Sequence, residues 1–203
     1  TGAATKLSGY MMDLPKKYTA TVRLGSATDT QDASGLEVRR GDWSHLSEDD
    51  IRRVLSRFIG TRMQVPPMYS ALKHRGRPLY KLAREGREVE REAREVVTYG
   101  IDLTGCELPL FTVTVHCSRG MYVWALAEEL GEALGVPAHL DGLVRTDIGH
   151  FTLEGAIGDD GFGKLSEMER PGYSLAEALQ HLPQVRLDGG QARSLMNGIA
   201  PRV

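Results

Sequence analysis

Apolar and polar residues alternate from Lys16 to Leu24, with Tyr18, Ala20, Val22 and Leu24 on one side and Thr19, Thr21 and Arg23 on the other. That period of two predicts a half-buried strand. Gly25 stops it, and a polar loop follows with two carboxylates, Asp29 and Asp32. Ahead of the strand, Leu7, Tyr10, Met11 and Leu14 share a helical face over residues 3–14, which Pro15 closes. Ser47-Glu48-Asp49-Asp50 is a helix start, with a capping serine and acids where the helix dipole favours them. The helix runs on Ile51, Val54, Leu55 and Phe58 to about Ile59. Residues 61–91 are the least regular part: Pro66 and Pro67 exclude a helix interior, residues 74–78 form a turn, and a short helix covers 79–85. A strand pair is expected at 93–104 and 108–117, turning around Gly105. A helix at 121–134 places Val123, Leu126, Ala127, Leu130 and Leu134 inward and Glu128, Glu129 and Glu132 on its wet face, with Gly135 as its cap. Further strand segments follow at 136–140, 143–148 and 151–153, then a Gly- and acid-rich loop at 155–173. Residues 174–182 form a short helix ended by Pro183. A strand at 185–187 and a helix at 191–198 open a new unit, which sets a domain boundary near 183.

Composition narrows the class. Hydrophobic content of 41% and charged content of 26% in 203 residues fit a globular protein, and no apolar run reaches the length of a membrane span. Thr1–Lys6 has no hydrophobic signal-peptide core, and the first residue is not Met. Two cysteines, Cys106 and Cys117, make no disulfide framework, which points to a reducing compartment such as the cytoplasm. The six histidines are scattered, so no metal site is expected. Net charge is −2, but Lys73, Arg75, Arg77, Lys81, Arg84, Arg87, Arg91 and Arg94 crowd one stretch. Such a patch suits phosphate contacts and equally suits a solvated loop. Likewise the strand and acidic loop from Lys16 to Asp32 read either as an edge strand with a capped turn or as a stacking face with cations and base acceptors.

Three blocks, in order, resemble the TruB family of tRNA pseudouridine(55) synthases. The first runs from Gly2-Ala3-Ala4-Thr5-Lys6 through Lys17-Tyr18 and Arg23-Leu24-Gly25 to Thr28-Asp29-Thr30-Gln31-Asp32-Ala33-Ser34-Gly35. The second is Gln64-Val65-Pro66-Pro67-Met68-Tyr69-Ser70-Ala71-Leu72-Lys73, with Gly76, Leu79-Tyr80 and Ala83-Arg84-Glu85-Gly86 behind it. The third is His116-Cys117-Ser118-Arg119-Gly120-Met121-Tyr122-Val123, continuing to Ala138-His139-Leu140 and Leu143.

The resemblance implies an α+β fold, with a mixed, mainly antiparallel sheet flanked by helices. It implies isomerisation of a uridine in the T-loop of tRNA: the base is flipped out, detached from C1′, turned and rejoined through C5. It implies no cofactor and no metal, the tRNA T-arm as partner, no membrane and no obligatory protein partner. Tyr18 matches the base-stacking tyrosine, also credited with the C5 proton; Tyr122 matches a second pocket tyrosine, Leu143 an apolar wall and Asp32 an acid of the RNA-contacting loop. The insertion at 61–91 matches the element that closes over the T-arm, which makes Lys73, Arg75 and Arg77 RNA contacts. On residue type alone, Tyr122 reads first as a core residue, and packing alone explains Leu143.

Two departures qualify the match. The family's nucleophilic aspartate lies before the first block, outside this chain, so the chain as written is expected to be inactive. An arginine expected two positions after the pocket tyrosine is Trp124, and a basic residue expected beside Leu143 is Val144. Residues 184–203 match the start of a C-terminal RNA-binding domain of the PUA kind. The rival readings are a non-catalytic tRNA-binding or tRNA-folding protein on the same fold, the RNA-guided branch that needs protein partners, and a small domain with no RNA role.

Overall fold

The structure, a computed structural model, describes residues 2–156, 158 and 173–200. It contains two compact units. The larger spans Met12–Ala156 and is built on a six-stranded sheet. Its strands are β1 (Lys16–Leu24), β4 (Gly60–Gln64), β7 (Arg94–Glu107), β8 (Leu110–Cys117), β9 (Ala138–Ile148) and β10 (Phe151–Thr152). They lie side by side in the order β10-β9-β1-β8-β7-β4. Every strand pairing in this sheet is antiparallel, in keeping with the mainly antiparallel sheet and α+β class expected; the parallel contact on it is the isolated bridge between Asp32 and Leu140.

Central strand β1 is the alternating stretch met first, and its inward residues Ala20, Val22 and Leu24 are all buried. They meet Val113, Val115 and Phe111 of β8 and the apolar faces of two helices, α2 (Glu48–Leu55) and α4 (Val123–Leu134). Helix α2 carries the expected capping box, in which the Ser47 N–H donates to Asp50 Oδ2 at 3.0 Å and the Asp50 N–H to Ser47 Oγ at 3.4 Å. Helix α4 ends on Gly135 in the left-handed conformation, at φ 77°. Its Gly131 is needed for close approach to β9, because a Cβ there would lie 2.5 Å from that of Ala138.

Several elements differ from expectation. The 93–117 hairpin turns at Leu108-Pro109, while Gly105 sits inside β7 at a bulge opposite Thr112. Thr104, unpaired in the register, is the extra residue of that bulge. Residues 60–64 are the edge strand of the sheet, so the insertion begins after Gln64, and the irregular segment at 61–91 is corrected accordingly. Inside the insertion, β5 (Lys73–His74) and β6 (Arg77–Pro78) form a two-residue hairpin, closed by Arg75 and Gly76 at positive φ and followed by α3 (Leu79–Arg84). Two short strands, β2 (Ser26–Thr28) and β3 (Glu37–Arg40), also pair on either side of the polar loop that carries Asp29 and Asp32. They are too short for alternation to register.

The second unit comprises residues 2–11 and the described residues after 157. The stretch expected as one helix is a 3-10 turn at Gly2–Leu7 followed by α1 (Ser8–Met12). Later come α5 (Leu175–Ala178) and α6 (Gly189–Met196); residues 185–187 form no strand. The boundary expected near 183 falls between these two helices. Most of the loop expected at 155–173 lies outside the described residues.

Candidate active site

Strand β9 collects three of the expected site residues along its length. Its Arg145 faces Tyr18 of β1, its Leu143 faces Ala20, and its Leu140 forms a parallel bridge with Asp32. Five residues of strand separate the Asp32 end from the Tyr18 end, roughly 17 Å at strand rise.

Tyr18 is half-buried against the core. Burial pushes its phenol pKa up and neighbouring Cys117 adds to this, while a hydrogen bond donated by the Arg145 guanidinium opposes both. The net shift is upward, so the phenol is protonated at neutral pH. It offers a ring face for stacking and an O–H for donation. Leu143 is 38% exposed, so its side chain is free to form an apolar wall. Val144 is exposed as well, opposite Thr19.

Asp32 is held inside its own loop. Its Oδ1 accepts from the Thr30 hydroxyl at 2.7 Å, the Ser34 N–H at 2.9 Å and the Ser34 hydroxyl at 2.6 Å. Burial alone raises its pKa, but these hydrogen bonds outweigh that and leave it below the ordinary aspartate value. Asp29 closes the same loop by accepting the Leu36 N–H at 2.8 Å. The loop is also tied to β9, where the Ala33 N–H donates to the Leu140 carbonyl at 2.9 Å and the Leu140 N–H to the Gln31 carbonyl at 3.0 Å. Gly35 admits no side chain here, since a Cβ would lie 2.3 Å from Thr30 Oγ1 and 2.4 Å from Asp29 Oδ1.

Tyr122 precedes α4 as its N-cap but supplies no side-chain cap. Gln64, at the end of β4, holds it instead. Gln64 is 2% exposed; its Oε1 accepts the Tyr122 N–H at 2.9 Å, and its Nε2 donates to the Tyr122 carbonyl at 3.2 Å and to Glu129 Oε1 at 3.2 Å. Arg62, two residues earlier on the same face of β4, pairs with Glu129 and lies 5.0 Å from the centre of the Phe58 ring. Trp124 packs edge-on to Tyr122, with ring centres 5.1 Å apart and planes at 73°. The indole has the place expected for a cation and fills it with aromatic packing.

This clamp corrects the expected wet face of α4. Glu129 is engaged by Arg62 and Gln64, and Glu128 is half-buried and bonded by the Gln31 amide. Burial raises the Glu128 pKa despite the Gln31 hydrogen bond. Both acids look solvated in the sequence because their partners lie 65 and 97 residues away.

Lys73, Arg75 and Arg77 stand on the separate β5–β6 hairpin, all exposed. Arg77 pairs with Glu85. Tyr69 and Tyr80 are half-buried, and the Arg84 guanidinium sits 5.6 Å from the Tyr80 ring centre. A cavity of about 430 Å³ opens beneath this insertion, lined by Pro66, Leu72, Lys73, Leu79, Arg91 and Arg94 among others. Among the described residues, no group of His, Cys, Asp and Glu could hold a metal ion, and no helix is long and apolar enough to cross a membrane.

Comparison with known proteins places these residues in a family. The model described as "TruB family pseudouridylate synthase (N terminal domain)" matches residues 1–123. The tRNA pseudouridine synthase B of Geobacter sulfurreducens is 45% identical over 203 residues, covering 98% of this chain and 67% of that protein. Its counterpart in Chromohalobacter salexigens is 43% identical over 199 residues, covering 97% of this chain and 65% of its own. The chain thus spans about two thirds of the length of these relatives. Among solved structures, one titled "Crystal Structure of a Cbf5-Nop10-Gar1 Complex" superposes with a TM-score of 0.69 at 24% identity, over 98% of this chain and 53% of that one, a likeness of fold. With the family match over residues 1–123 and a relative 45% identical over nearly the whole chain in agreement, the chain belongs to the TruB family of pseudouridylate synthases.

Proposed function

We propose that the protein isomerises a uridine in the T-loop of tRNA, at position 55, to pseudouridine. The observation that carries this reading is Tyr18: a half-buried, protonated phenol on a central strand, opposite Arg145 and flanked by Leu143, in a chain of this family. A uracil flipped from the loop would stack on that ring, with Leu143 and Tyr122 as further walls. The base would be detached from C1′ and rejoined through C5. The phenol, protonated at neutral pH, offers a stacking ring and a hydrogen-bond donor; as the C1′–N1 bond gives way to the C1′–C5 bond, C5 releases its proton to solvent and N1 takes one up, so the isomerisation is proton-neutral. Asp32 acts by shaping the loop that meets the RNA. Lys73, Arg75 and Arg77 grip phosphates of the T-arm without reading sequence. The site needs no cofactor, and the reaction belongs in the cytoplasm, where tRNA is processed.

A second reading, a tRNA-binding or tRNA-folding protein without catalysis, is favoured by one observation: Trp124 stands where the family resemblance leads one to expect an arginine. Tritium release from tRNA carrying C5-labelled uridine, measured with the protein expressed from its complete reading frame, separates the two. Release that Tyr18→Ala abolishes supports the isomerase. Tight T-arm binding with no release supports the binding protein.

A further inference from the structure

Three adjacent strands bring cations to the Tyr18 end of the sheet. Lys16 lies two residues before Tyr18 on β1, and Arg145 faces Tyr18 from β9. Arg119 follows the end of β8, where Cys117 is opposite Lys16. Paired residues directly opposite one another share a face of the sheet, so Tyr18 and Arg145 lie on the same side. Arg119 and Arg145 are exposed, and Lys16 is half-buried. Arg119 pairs with Asp13, and the Lys16 ammonium donates to the Met12 carbonyl. Asp147, the other nearby acid, lies opposite Lys17 and accepts the Thr146 hydroxyl at 2.6 Å. Burial, and then the guanidiniums of Arg145 and Arg119, hold Lys16 below its ordinary pKa, while Cys117 and Asp13 oppose them. The cluster therefore keeps an excess of positive charge that an incoming anion would relieve.

We infer that Lys16, Arg119 and Arg145 form a phosphate subsite for the nucleotide whose base stacks on Tyr18. A flipped nucleotide keeps both backbone phosphates, so a base against the phenol carries an anion within one ribose of it. Arg145 has five N–H donors, more than the phenol opposite it can engage, which leaves others for phosphate oxygens. The grip differs from that of the β5–β6 hairpin: it holds the target nucleotide itself rather than the arm. This inference rests on the RNA reading above.

The test is anisotropy titration of a labelled T-arm hairpin RNA with this chain across a salt series, using Lys16→Ala, Arg119→Ala and Arg145→Ala, with Arg53→Ala on α2 as control. Each of the three should flatten the plot of log affinity against log salt by about 1, and the control should not. A second series replaces single phosphates beside the target uridine with neutral methylphosphonates. At one position the wild-type protein should lose several-fold in affinity and the Lys16→Ala/Arg145→Ala double variant should lose nothing further. Circular dichroism confirms folding of each variant. If the wild type binds and the hairpin variants Arg75→Ala and Arg77→Ala weaken it, while the three strand-end variants keep the wild-type slope and phosphate sensitivity, the subsite is refuted and the RNA reading stands. If the wild type does not bind the hairpin at low salt, both fall.

Discussion

Gln64→Leu breaks the clamp between β4 and α4 with little change in volume. Gln64 is almost wholly buried and makes three hydrogen bonds, two of them to the backbone of Tyr122. After substitution the Tyr122 carbonyl still accepts the Leu126 N–H at 3.0 Å. The Tyr122 N–H loses its partner, and an orphaned buried donor costs about 1–3 kcal/mol. Losing the amide donor to Glu129 adds about 1 kcal/mol. The apolar side chain returns roughly 1 kcal/mol through burial. The net expectation is a loss of about 1–3 kcal/mol, read as a lower urea midpoint with an unchanged m-value. The clamp also has a spectroscopic signature. Trp43 and Trp124 are the two tryptophans, so in a Trp43→Phe background Trp124 alone reports on its edge contact with Tyr122. Gln64→Leu should shift that emission. A variant with a midpoint within about 0.5 kcal/mol of wild type and an unmoved Trp124 spectrum would refute the clamp.

Further outcomes follow from the geometry. Asp32→Asn should destabilise the 28–36 loop by about 1 kcal/mol, because three hydrogen bonds to a carboxylate become bonds to a neutral amide; hydrogen exchange of the Ser34 amide reads this. The Asp32 pKa is depressed on folding, so its stabilising contribution is present above the ordinary aspartate value and is lost as pH falls through the lower folded value; the stabilities of the Asp32→Asn and wild-type proteins should therefore converge only at low pH. Burial pushes the Cys117 thiol up to about 11, so alkylation by iodoacetamide at pH 8 should be negligible in the folded protein and fast in urea, and rapid labelling of folded Cys117 would contradict its burial. Tyr18→Phe, which keeps the ring but not the O–H, should retain more T-arm affinity than Tyr18→Ala, and equal losses would rule out stacking.

Local periodicity made the scaffold legible. The alternation of β1, the capping serine of α2 and the apolar face of α4 each depend on neighbours a few residues apart, and each stands where the pattern places it. Strand β4 was hidden because it reverses the usual rule: Arg62 and Gln64 turn inward while Met63 lies exposed. Such a strand reads as polar loop until the partners of its inward residues are seen. The same holds for Glu128 and Glu129, whose solvated appearance dissolves once Gln31, Arg62 and Gln64 reach them. For the site, residue chemistry alone left Tyr18 as an edge-strand residue, and the family resemblance singled it out. Arg145 carried no signal in the sequence, because only the β1–β9 register sets it against the phenol.

The central claim is chemical and positional, so a map of pseudouridine in tRNA tests it most directly. An unmodified tRNA transcript is incubated with the protein expressed from its complete reading frame, treated with carbodiimide and read by primer extension. The expected result is one new stop, at the T-loop uridine at position 55, absent when Tyr18→Ala replaces the wild type. A transcript that is bound but shows no stop, or stops at other uridines alone, would contradict it.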